Sequence, residues 1–154
     1  MTIIQELYHI FDREQGKYMA RRSSKSLVVL ELSQNLALIR EALADNLPGH
    51  VIIDGLEDSR YRKAIEAGIN LDEIRRQALV KRTCAGIREF EKYHGWSTGK
   101  LIHNAYERIG TLKKLHNGSV SVHSRLQYLF KYLMLVMAHI EGRTLASEPA
   151  RESS

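Results

Sequence analysis

The sequence predicts an all-α protein, a single-domain antiparallel helical bundle of about five main helices with one short apolar connecting segment near residues 50–54. Three observations carry this expectation. Leu, Ile, Ala, Glu, Arg and Lys, which lose little side-chain freedom in a helix, make up much of the chain, and Pro48 and Pro149 are its only prolines. Apolar residues recur at spacings of three and four along most of its length, the period of one helix face. With 154 residues, one hydrophobic core buries roughly two-thirds of the surface of the unfolded chain, so one domain is expected, over residues 1–143.

The first helix is expected over residues 2–19, with Ile4, Leu7, Tyr8, Phe11 and Tyr18 on one side. The second is expected over residues 24–45, with a stripe of Val28, Leu32, Leu36, Ile39 and Leu43, and Ser23 or Ser24 as its N-cap. Asn46-Leu-Pro-Gly-His50 breaks the pattern, because Pro48 disfavours helical geometry at Leu47. The β-branched VIIDGLED that follows reads as an extended lid over the bundle end. A short helix over residues 57–67 is closed by Gly68, and Asn70 or Asp72 starts the next.

That next helix is expected over residues 71–93. Val80, Thr83, Cys84, Ile87 and Phe90 form its apolar stripe, and Lys81, Arg88 and Lys92, at i, i+7 and i+11, share an exposed arc at 100° per residue. Gly95 ends it, Ser97 or Thr98 caps a helix continuing to Leu115, and residues 116–119 form a turn. The last helix, residues 122–141, is apolar nearly all round, which implies a central position or an oligomer contact. Residues 144–154 read as a disordered tail.

Charge is unevenly placed. The net charge is +5, but residues 58–118 alone hold 13 Lys or Arg against 7 Asp or Glu, an excess of +6. Such a local excess points to an anionic partner, RNA or DNA. The candidate phosphate contacts are Arg75, Arg76, Lys81, Arg82, Arg88 and Lys92; no short recognition helix accompanies them, so binding would be phosphate-led.

Other chemistry finds little support. The lone Cys84 forms no internal disulfide and lies on an apolar stripe as a core residue, and with no secretion signal a cytoplasmic location is expected. The histidines lack metal-ligand spacing, so neither a metal nor a cofactor is expected. The most apolar run, residues 126–140, is shorter than the ~20 residues a membrane helix needs and is interrupted by Gln127, Lys131 and His139.

The leading expectation is therefore a non-enzymatic bundle that acts by binding macromolecules, through self-association or as a regulatory subunit of another protein. Its oligomer contacts would be Tyr132, Met134 and Met137 on the apolar last helix. A basic nucleic-acid-binding accessory protein is the first alternative. The second rests on Arg88-Glu-Phe-Glu-Lys-Tyr-His94, which resembles the motif of HEPN ribonucleases, helical-bundle toxins or antiviral effectors. The resemblance implies that Arg88 stabilises charge on a scissile phosphate while His94 acts as general acid or base. Glu89 stands where that family has a small polar residue. On an α-helix the two side chains would stand 120° apart, so they would meet only across a dimer or at a bent helix end.

Overall fold

The computed structural model describes residues 23–115 and 122–145. The expected first helix, the turn at residues 116–119 and most of the tail lie outside the described residues. The described residues are all-helical, and no strand occurs among them. Among the described residues three long helices build the frame: α1 (Ser24–Ala44), α4 (Thr98–Leu115) and α5 (Val122–Glu141). Two short helices, α2 (Gly49–Asp54) and α3 (Ser59–Glu66), follow α1, and three short 3₁₀ segments, Leu71–Ile74, Lys81–Cys84 and Arg88–Tyr93, precede α4.

Side-chain pairs fix the directions of the long helices. Thr98 meets His139 at one end of the α4/α5 pair, and the Tyr132 hydroxyl donates to the Leu101 carbonyl nearer the middle. Arg108 then lies over Tyr128, so α4 and α5 run antiparallel. Lys25 reaches Glu73 beside the start of α4, and Glu31 accepts from Tyr106 farther along, so α1 runs in the same sense as α4. α5 lies between them as the central helix: Leu126, Leu129, Tyr132, Leu133, Leu135, Val136, Met137 and Ala138 are all buried.

Caps account for most boundaries. The Ser23 hydroxyl accepts from the Ser26 N–H and opens α1, and the Ser97 hydroxyl accepts from Lys100 at the start of α4. At the end of α5, Gly142 takes φ 75°, its N–H donates to the His139 carbonyl, and the Arg143 N–H donates to that of Ala138. This double bond pattern needs a left-handed residue in the glycine position. Leu145 still packs on the core, two residues beyond the expected end of the bundle.

α3 is opened by a side chain distant in sequence. The buried Glu31 carboxylate of α1 accepts from the Arg60 and Tyr61 N–H groups at 2.9 and 3.1 Å and from the Tyr106 hydroxyl at 2.8 Å. Helix starts leave such N–H groups without partners, and a carboxylate there also meets the positive end of the helix dipole. Asn35, one turn on, clamps the Glu57 backbone from both sides.

Two expectations are corrected. VIIDG is not an extended lid: residues 49–54 form the helix α2, which buries both Ile52 and Ile53. Local β preference yields here to burial, since a helical turn can set both isoleucines against the bundle. Gly55 ends that turn where a Cβ would come 2.9 Å from Leu38. The long helix over residues 71–93 does not form either. Leu79 is buried and Val80 exposed, which breaks the proposed stripe, and Ala85 and Gly86, both at positive φ, divide the segment into separate 3₁₀ stretches, with Phe90 and Tyr93 buried three residues apart in the second.

Candidate nucleic-acid interface

Residues 80–94 depart from one point and return to it, and Phe90 and Tyr93 within them pack on Tyr128 and Tyr132 of α5. The Leu79 N–H donates to the Trp96 carbonyl and the Gly95 N–H to the Leu79 carbonyl, both at 2.9 Å. Gly95 adopts φ 88° there, a conformation that costs glycine little. The excursion is thus a compact loop with joined ends, packed by its own side chains. Thr83, Cys84, Phe90 and Tyr93 are buried beneath it, and the Cys84 thiol lies 3.6 Å from the Phe90 carbonyl, to which it donates. Ala85 and Gly86, at φ 51° and 81°, reverse the chain between its two 3₁₀ turns.

The basic residues divide between this loop and the segment before it. Lys81, Arg82, Arg88 and Lys92 are exposed, and none forms an ion pair among the described residues. Arg76 is exposed with its guanidinium 3.7 Å from Glu73. Arg75 departs from expectation: it is half-buried, donates to Gln77, and approaches Gly142 so closely that a Cβ there would lie 2.7 Å from its Nη1. The shared α-helical arc of Lys81, Arg88 and Lys92 does not exist. Lys81 belongs to one turn and the other two to the next, where four residues at 120° each separate Arg88 from Lys92 by 120°. What the cations share is a loop.

The same geometry alters the Arg88/His94 pair. Six residues make two full 3₁₀ turns, so the pair falls on one side, with its Cα atoms roughly 12 Å apart along the axis. Glu91 occupies the position between them, and its carbonyl accepts from the His94 N–H. A carboxylate centred between the two groups opposes a phosphate bound by both. Cys84 offers no nucleophile, because burial, reinforced by Glu91, raises its thiol above the usual range.

The oligomer candidates lie elsewhere. Tyr132 and Met137 are buried within the single chain and Met134 is half-buried, so the apolar circumference of α5 is absorbed by its central position. His139, also on α5, is buried: the Thr98 hydroxyl donates to the Arg75 carbonyl at 2.6 Å and accepts from His139 Nε2 at 2.8 Å. Burial, with Arg75 nearby, lowers the His139 pKa to about 4 and holds the ring neutral. This chain ties α5, α4 and the segment before the loop together.

Among the described residues no group of three or more His, Cys, Asp or Glu side chains is placed to hold a metal ion, and no helix is long and apolar enough to cross a membrane. No protein-family model, curated protein or solved structure matches the chain.

Proposed function

We propose that the protein acts by binding another macromolecule without catalysis, and that its partner is a single-stranded nucleic acid held through phosphate contacts on the 80–94 loop. One observation carries this reading: Lys81, Arg82, Arg88 and Lys92 stand exposed on a structured loop without ion-pair partners among the described residues. Exposed cations on a fixed backbone bind phosphates by releasing counter-ions, and the loop presents no helix to a groove, so contact is led by the sugar-phosphate chain. Glu89 and Glu91 temper its charge, which fits weak sequence preference and moderate affinity.

The test is the salt dependence of oligonucleotide binding, measured by fluorescence anisotropy with two unrelated single strands. Wild-type affinity should fall steeply as salt rises. The combined variant Lys81→Gln, Arg88→Gln and Lys92→Gln should weaken both strands equally and flatten the slope by about two to three units of log K per log salt. Low-salt binding no stronger than that of a neutral control protein, or a slope unchanged by the triple variant, defeats the reading.

A further inference from the structure

A second basic feature lies in the frame. Between the C-terminal half of α4 and the N-terminal half of α5 opens a cleft of about 450 Å³, whose lining includes Arg108, Arg125, Thr111, Ser124, Tyr128 and one carboxylate, Glu107. That volume falls within the range of small-molecule sites.

Arg108 makes this cleft more than a surface groove. Its guanidinium lies 4.6 Å from the Tyr128 ring centroid and 5.6 Å from that of Tyr132, and its Nη2 donates to the Tyr93 hydroxyl at 3.1 Å. Tyr93 and Tyr128 are joined through their hydroxyls at 2.8 Å. Two ring faces and a phenol thus fix the guanidinium plane, yet among the described residues no carboxylate pairs with it and its buried Nε has no acceptor. Burial raises the Tyr128 hydroxyl well above its usual range, so that phenol stays a neutral group beside the cation and does not neutralise it. Partly buried charges are ordinarily paired, because withdrawing one from water is costly.

We propose that this cleft binds a phosphomonoester, with Arg108 and Arg125 as its anion contacts. Guanidinium forks match phosphate oxygens in pairs, and the Thr111 and Ser124 hydroxyls supply further donors for a group with more acceptors than a carboxylate. Tyr128 and Leu112 leave the cleft an apolar side, on which the organic part of an ester would rest. The phosphate chemistry is common to the free anion and to a mononucleotide. The cleft's anion contacts lie outside the loop, which lends only Tyr93 to orient Arg108, and the proposal does not rest on nucleic-acid binding there.

The test follows the Arg108 Nε–H resonance of the ¹⁵N-labelled full chain, assigned by its loss in Arg108→Lys, during titration with inorganic phosphate against chloride at equal ionic strength. A saturable shift is expected. In Arg125→Gln the apparent Kd should rise about ten-fold, the loss of one charged hydrogen-bonding group, whereas Arg40→Gln, an exposed cation on α1 that does not line the cleft, should leave it unchanged. A parallel titration with adenosine 5′-monophosphate separates the sources: tighter binding than phosphate points to an ester, equal binding to the free anion. No saturable shift with either probe, or a Kd indifferent to Arg125→Gln, overturns the proposal.

Discussion

Glu31 and Arg88 are both charged residues, and the two regions that hold them treat charge in opposite ways. In the frame, the Glu31 carboxylate is buried and accepts three hydrogen bonds, Asn35 closes a backbone clamp, and His139 is held neutral by a threonine and the cost of burial. In the loop, cations are exposed and left without ion pairs among the described residues. Each buried polar group that meets its partners holds two distant pieces of backbone in one arrangement, whereas an exposed cation adds little to stability and keeps its field for a partner. On this contrast stability should lie in the frame, and the nucleic-acid binding proposed above in the loop. Mutations should separate the two.

The largest effect is expected at Glu31. Replacing it with Ala strands the N–H groups of Arg60 and Tyr61 and the Tyr106 hydroxyl, all drawn toward one acceptor. Urea unfolding should show a loss of about 3 kcal/mol, with Glu31→Gln losing less because its amide oxygen can still accept. Tyr106→Phe removes one donor and should cost about 1 kcal/mol. If Glu31→Ala melts like the wild type, the cap on α3 contributes nothing and the frame is held by apolar packing alone.

The second effect is a pH dependence. His139 has its folded pKa lowered to about 4 from the ordinary 6.5, so between those values the unfolded chain binds the proton that the folded chain refuses. Its contribution is fully present above pH 6.5 and is lost as pH falls toward 4, by on the order of 2–3 kcal/mol if the shift is fully expressed. Denaturant midpoints at pH 7, 6, 5 and 4 would show the decline, and His139→Gln should flatten it across that window. An equal decline in the variant would assign it to other groups.

These two residues also show how far the sequence could be read. The long helices α1, α4 and α5 were legible from period and caps, since Ser23, Ser97 and the apolar stripes are local signals. Glu31 left only a trace: with Asn35 it sits on the same side of α1 as Val28, Leu32 and Ile39, a polar intrusion into a stripe, and nothing local pairs it with residues 60 and 61. Over residues 71–93 spacings of three and four tolerate an α-helix that the structure does not form. The preference of Leu79 for a backbone pair with Gly95 and Trp96 is tertiary information. The cleft was unreadable for the same reason, as Tyr93, Arg108 and Tyr128 come from three elements.

The smallest effect should come from the loop, and it bears on the ribonuclease resemblance as well. Arg88 and His94 are exposed, and among the described residues no buried polar group depends on either side chain, so Arg88→Ala and His94→Ala should each change unfolding free energy by no more than ~0.5 kcal/mol. Calorimetric melts of the two variants test that half of the comparison. If His94→Ala instead lowers the midpoint by several degrees, the 3₁₀ turn over Tyr93 and Trp96 belongs to the frame, and the division drawn between the regions fails. The same samples, incubated with labelled RNA in chelator, test catalysis. Because Glu91 lies between the pair on one face and their Cα atoms stand roughly 12 Å apart, a single chain should not cleave. Metal-independent cleavage abolished by both substitutions would mean that two copies bring an Arg88 and a His94 together, and the loop would then be an active site as well as a binding surface.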